Sequence, residues 1–182
     1  FSLLAQRALK QGGVVFGAAM TPDCKGVQHV MVSEETGLDS LRGSKYLQSE
    51  LGDAFRHVKQ ELERGRTVLF TGTPCQVDGL NNYLGRKYDS LLCMEVICHG
   101  APSPALWKKY VDDTELRYGQ PVSQVNFRLK EPGWKRYSVQ LETSDGRKRY
   151  NPIGYDPYMR MFLQDICLRP ACYQCSSKGL VR

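Results

Sequence analysis

No apolar run in the sequence reaches the roughly 18 residues of a membrane span, which excludes a helical membrane-spanning protein. No internal repeat or low-complexity tract is present, so a solenoid and a disordered linker are set aside. No signal peptide is visible, because the chain opens in FSLLAQRALK, which has the pattern of an amphipathic helix. The sequence also lacks an initial Met and ends at Lys178-Gly179-Leu180-Val181-Arg182 without a closing element, so it is expected to be a fragment of a longer protein. There is no Walker A ending of Gly-Lys-Ser/Thr and no GxGxxG. What remains is 182 residues, 41% hydrophobic and 24% charged, enough for one globular domain with a real core. The net charge of +6 admits an anionic cofactor, an acidic partner or nucleic acid. Lys and Arg are scattered and not clustered, which favours a solvated surface and argues against nucleic acid.

The hydrophobic pattern alternates helix and strand. Ser2 to Gly12 reads as a helix with Leu3, Leu4, Ala8 and Leu9 on its stripe, stopped by Gly12-Gly13. Val14 to Met20 and Val27 to Val32 read as strands separated by a turn at Thr21-Pro22-Asp23. Asp39 to Tyr46 is a polar loop, and Glu50 to Arg64 a helix with Leu51, Phe55, Val58 and Leu62 inward. Thr67 to Phe70 is a buried strand, Gln76 to Leu84 a helix, Leu91 to Ile97 a strand and Ala105 to Tyr118 a helix. Val122 to Arg128, Tyr137 to Glu142 and Arg147 to Tyr150 form an antiparallel meander, and Asp156 to Leu168 a last helix. The expected fold is α/β, with a mixed β-sheet flanked by helices in a single domain, residues 1–182, and an antiparallel strand meander toward the C-terminus.

The chemistry lies in seven cysteines: Cys24, Cys75, Cys93, Cys98, Cys167, Cys172 and Cys175. An odd count without a secretory signal argues against a disulfide framework and for a reducing compartment, the cytoplasm. Cys172-Tyr173-Gln174-Cys175 is a CxxC, but it follows a helix end and Pro170, unlike a dithiol redox motif. No second closely spaced pair accompanies it. Cys75 and Cys98 each follow a strand, and two strand-end thiols can meet above one sheet edge. The CxxC then completes four thiolates, which suit an iron–sulfur cluster and zinc equally well. Cys24, Cys93 and Cys167 read as incidental thiols, with Cys167 as a fifth candidate ligand.

Other stretches suit an anionic or aromatic ligand. Arg42-Gly43-Ser44-Lys45-Tyr46 offers a cation, a hydroxyl, a glycine backbone and an aromatic ring within five positions. Thr71-Gly72-Thr73-Pro74 is a tight turn at a strand end, and Asn126-Phe127-Arg128 with Trp134-Lys135-Arg136 flanks a second strand end. His99, beside Cys98, is a candidate proton carrier.

Six blocks, in order, carry a resemblance. LRGSKYLQSELG, VLFTGTPCQVDGL, ICHGAPSPALWKKY, NFRLKEPGW, DPYMRMFLQDICLRPACYQC and the final KGL resemble the coenzyme F420 hydrogenase/dehydrogenase beta-subunit family over nearly the whole chain. The resemblance implies an oxidoreductase with FAD and a [4Fe–4S] cluster that passes electrons to a small-molecule two-electron carrier or substrate. It implies Cys75, Cys98, Cys172 and Cys175 as cluster ligands. Gly43, Ser44, Lys45, Tyr46, Thr71, Gly72, Thr73, Asn126 and Arg128 would face the flavin. Lys45 and His99 would be catalytic, Lys45 by steadying negative charge on the flavin. Relatives carry an N-terminal ferredoxin-like region and a C-terminal tail, so a ferredoxin-like domain or protein is the expected electron partner. A zinc-stabilised binding module and a non-catalytic interaction subunit linked to polysaccharide biosynthesis stand as alternatives.

Overall fold

Strand β1 (Val14–Met20) is flanked on both sides, and its sequence shows why. VVFGAAM is apolar on both phases of the pleat, as a strand covered on both faces must be. It pairs antiparallel with β2 (Val27–Val32) and parallel with β3 (Val68–Gly72), which pairs parallel with β4 (Leu91–Glu95). The computed structural model that shows this describes residues 1–130, 133 and 136–178, the last by its backbone alone. The expected contributions of Trp134 and Lys135, and the final Gly179-Leu180, lie outside the described residues.

The sheet order is β2-β1-β3-β4. Val14 and Phe16 of β1 and Val68 and Phe70 of β3 pack against α3 (Ala54–Glu63) and α4 (Pro74–Leu84). The alternate residues, Val15, Ala19 and Leu69, pack on α1 (Ser2–Lys10) and the short α2 (Leu38–Leu41). Of the expected α1 stripe, Leu3 stays 83% exposed, because the small residues Ala5 and Ala8 make the close approach to the sheet. Arg66 ties the α1 exit to α3: it donates to the carbonyls of Gly12 and Gly13 and pairs with the buried Glu61 at 2.8 Å.

The meander forms its own antiparallel sheet of β5 (Val122–Leu129), β6 (Ser138–Thr143) and β7 (Lys148–Pro152). It shares a core with α5 (Pro104–Tyr118) and α6 (Pro157–Leu163). The β1–β2 turn reaches into that core. Cys24, at φ +57, lends its carbonyl to the Trp107 indole at 2.8 Å, and Lys25 pairs with Asp112 and Glu115 on α5.

Two helices are shorter than their sequence pattern. The apolar period predicts a helix from Glu50, but α3 starts at Ala54, because Glu50 bridges in parallel to Gln28 and extends the β2 edge. The expected helix of Asp156 to Leu168 stops at Leu163. Asp156 caps it, accepting from the Met159 N–H at 2.8 Å. Asp165 then turns to φ +59, the chain bends through Ile166 and Cys167, and Leu168 pairs with Pro102.

Trp107 is fully buried, with its ring 4.7 Å from Phe127 and 4.9 Å from Tyr158. Trp107→Ala is expected to lower stability by about 3–5 kcal/mol through the cavity it leaves. Trp107→Phe, which leaves the Cys24 carbonyl unpaired, is expected to cost about 1–3 kcal/mol. Urea unfolding midpoints measure both.

Candidate functional site

The register of β3 against β4 pairs Gly72 with Glu95. Cys75 lies three residues past Gly72, and Cys98 three past Glu95. Parallel strands carry both cysteines off the same edge of the sheet. After Gly72, Thr73 takes the extended N-cap conformation and Pro74 opens α4. Gln76 reaches back, its Oε1 accepting from the Thr73 N–H at 3.0 Å. Cys75 therefore sits in the first turn of an 11-residue helix, exposed, with its Sγ 3.2 Å from the Thr73 hydroxyl.

The other half of the site is a zipper between two extended segments. Arg169 donates its N–H to Ala101 O at 3.0 Å, Leu168 bridges Pro102, and Gln48 donates to Pro102 O at 3.2 Å. Gly100 allows the close approach, since a Cβ there would lie 2.6 Å from Leu168 Cδ1. His99 pairs with Asp165 at 2.6 Å and rests edge-on to Phe162 at 4.9 Å. Beyond the zipper, Pro170 starts the turn α7 (Pro170–Tyr173), which carries Cys172. The tail is fixed where it passes α4: Ser177 Oγ donates to Asp78 Oδ2 at 2.6 Å, one helical turn beyond Cys75.

Three other cysteines lie in the neighbourhood of Cys98. The Cys98 thiol titrates above its ordinary range, first because it is half-buried, then because Cys75, Cys172 and Cys175 lie close enough for their charge to act on it. The Gly100 N–H pulls the other way. Cys75 and Cys175 line an open cavity of about 620 Å³ with Pro170, Ala171, Gln174, Ser176 and Ser177. Among the described residues, no three His, Cys, Asp or Glu side chains are grouped tightly enough to hold one metal ion. The remaining cysteines stand apart. Cys24 is in the core, where burial pushes its thiol up to about 11. Cys93 packs on the α3–α4 side of the sheet. Cys167 packs toward the α5–α6 core and is not among the thiols that act on Cys98.

The residues proposed from sequence to face a flavin fall in two places. Tyr46 meets Phe127 at 5.7 Å and Phe162 at 5.0 Å, while Arg128 lies 4.7 Å over the Tyr137 ring. Burial and then Tyr46 raise the Tyr137 hydroxyl, against the pull of Arg128. The Gly43–Tyr46 loop and the β5 end are thus neighbours. Through Phe162, Tyr46 is also linked to His99, next to Cys98. Gly43, at φ +80, and Ser44 are exposed. Asn126 Oδ1 accepts from the Arg128 N–H at 3.0 Å. Lys45 folds back and donates to the carbonyls of Ser40 and Arg42 at 3.0 and 2.8 Å. Burial lowers its amine to about 8. Thr71, Gly72 and Thr73 are the second place: Thr71 Oγ1 donates inward to Phe16 O at 3.1 Å, and the turn supports Cys75.

Sequence reasoning passed over His29, Ser49, Gln76, Asp78, Phe162, Asp165 and Ser177. Only His29 carried a signal: it stands on the buried phase of VQHVMV, where an apolar residue is expected.

With the geometry described, comparison identifies the relationship. Residues 65–179 match the family described as the C-terminal part of the coenzyme F420 hydrogenase/dehydrogenase beta subunit. The chain belongs to this family. Membership places it among beta subunits of redox enzymes. No curated protein matches the sequence. Among ten matching chains of solved structures is one from the xenon-derivatised F420-reducing [NiFe] hydrogenase complex of Methanosarcina barkeri. The two share 15% identity at a TM-score of 0.60, over 96% of this chain and 57% of that one, a likeness of fold. The chain therefore spans little more than half the length of that neighbour.

His29 gives the site a pH dependence. Its pKa is depressed below 6.5, chiefly by burial, with the Thr71 carbonyl acting in the opposite direction. The unfolded chain then binds more protons between the folded pKa and about 6.5, so this stability is complete above 6.5 and is lost as pH falls below it. Urea midpoints are expected to decline from pH 6.5 toward 5, with a shallower slope in His29→Gln.

Proposed function

We propose that the protein is an iron–sulfur flavoprotein oxidoreductase in which Cys75, Cys98, Cys172 and Cys175 hold a [4Fe–4S] cluster beside FAD. The observation that carries this reading is the gathering of three thiols, from two other parts of the chain, around Cys98. The donor set fits: four soft thiolates suit a cluster, and two of them, Cys75 and Cys175, line an open cavity.

When bound, the two cofactors would supply exchange between two-electron and one-electron transfer. The chain's own residues do the remaining work. The Gly100 N–H acts on the Cys98 thiol against the effect of its burial, and the Thr73 hydroxyl lies 3.2 Å from Cys75 Sγ. Tyr46, Tyr137 and Arg128 form an aromatic and cationic shelf for the flavin, and Asn126 fixes the Arg128 backbone. Gly43 and Ser44 leave backbone and hydroxyl groups open, and Lys45 keeps that loop folded. Gly72 and Thr73 form the seam between shelf and thiols. His99, held by the bond from its Nε2 to Asp165, has Nδ1 as its second site for a proton beside Cys98. The acceptor is a two-electron carrier or small substrate. A ferredoxin-like domain or protein is the electron partner, met in part by the net charge of +6. The seven cysteines are free, which supports a reducing, cytoplasmic setting.

Anaerobic reconstitution with iron and sulfide is expected to load about four of each per chain and give broad visible absorption. Cys75→Ser should lose it and Cys24→Ala should keep it. One zinc per chain on the same thiols would contradict the reading. In a separate titration, Arg128→Gln is expected to weaken FAD binding about tenfold, read by flavin fluorescence.

A further inference from the structure

Four hydrogen bonds form a closed circuit around Gly72. His29 Nε2 meets Thr71 O at 3.0 Å, and Ser49 Oγ meets His29 Nδ1 at 3.0 Å. Gln76 Nε2 donates to Ser49 Oγ at 2.8 Å, and the Thr73 N–H donates to Gln76 Oε1 at 3.0 Å. The direction of every bond is forced. A carbonyl only accepts, so His29 carries its proton on Nε2 and Nδ1 must accept from Ser49. Ser49, having donated, accepts from the Gln76 amide, which leaves Oε1 for the Thr73 N–H. The circuit leaves the turn at Thr71 O and returns at Thr73 N, so both polar groups flanking Gly72 are held.

Its members come from three separate places. His29 is on β2, stacked on Phe70 at 5.3 Å. Ser49 follows the Gly43–Tyr46 loop by three residues. Gln76 is on α4, adjacent to Cys75. His29, Ser49 and Thr71 are each at most 9% exposed, so water does not substitute for a lost partner. There is no slack at the centre: a Cβ on Gly72 would lie 3.1 Å from both Gln76 Oε1 and Phe70 Cε1. Neighbouring bonds extend the coupling, since Gln48 donates to Pro102 O in the Cys98 turn.

We propose that His29, Ser49 and Gln76 are positioning residues that set the Thr71–Cys75 turn, and thereby aim the Cys75 thiol into the four-cysteine site and fix its place relative to the Gly43–Tyr46 loop. The cluster role of Cys75 rests on the function proposed above; the circuit itself does not. Removing one member leaves the other groups buried without partners, and the circuit fails as a unit.

The test has two arms. In the first, hydrogen exchange is followed by mass spectrometry over residues 70–77 of the metal-free protein. Ser49→Ala and Gln76→Met are each expected to speed exchange about tenfold, and the double variant no further than the faster single. Gln76→Glu keeps the acceptor for Thr73 and removes only the donor to Ser49, which serves if Gln76→Met does not fold. Unchanged exchange in these variants, or additive effects, would overturn the proposal. In the second arm, the visible circular dichroism of the iron-loaded protein is compared. Ser49→Ala is expected to shift the spectrum at unchanged iron content, and Ser49→Thr to restore it. Thr114→Val, remote from the site and bonded only to the Tyr110 carbonyl, should lower stability without moving the spectrum. An unshifted spectrum in Ser49→Ala would overturn the positioning role. Failure of every form to take up iron, with the exchange pattern intact, would overturn the cluster reading and leave the circuit established.

Discussion

The parallel pairing of β3 with β4 is the constraint on which the site depends. Because Gly72 faces Glu95 in register, the strands end together, and Cys75 and Cys98 emerge at matching distances on one edge. An antiparallel neighbour would have sent the two thiols to opposite ends of the sheet. Parallel strands need covered faces, and the two-sided burial of β1 and β3 supplies that cover. The apolar sequences VVFGAAM and VLF thus serve the chemistry indirectly: they hold two strand ends level so that two short turns can point their cysteines at the same space.

The second pair of cysteines is attached by a different kind of interaction. Among the described residues, the tail is held by the zipper at Pro102 and Leu168, the His99–Asp165 pair, and the bond from Ser177 to Asp78. These contacts are long-range in sequence, and only Leu168 among them joins a hydrophobic core. A thiolate-held cofactor would therefore stabilise the tail most, since binding free energy becomes ordering free energy where a site is loosely held. The layout joins β3–α4, with its closed circuit, to a tail brought in from the far end of the chain.

Much of this was legible in the sequence. The strand, turn and Cys75 in TVLFTGTPCQVDG follow from apolar character, glycine and proline at set positions, and the CxxC stands out by spacing alone. The α/β class and the meander followed from changes of period. What was not legible came from tertiary contacts that override local preference. The apolar period continues through Ile166 and Leu168, yet the helix stops at Leu163 and Leu168 pairs with Pro102 instead. Glu50 looks helical and instead extends the β2 edge. Lys45 reads as a free cation, but its ammonium closes its own loop. His29 and Ser49 are 20 residues apart and gain meaning only where β2, the loop and α4 meet.

The central claim is that Cys75, Cys98, Cys172 and Cys175 act as one set. Differential alkylation tests it directly: label the reduced protein with iodoacetamide before and after anaerobic addition of iron and sulfide, and read each cysteine by peptide mass spectrometry. The account predicts that those four become protected together, while Cys93 and Cys167 label as before. Protection confined to Cys172 and Cys175, or a set in which Cys167 replaces one of the four, would contradict it.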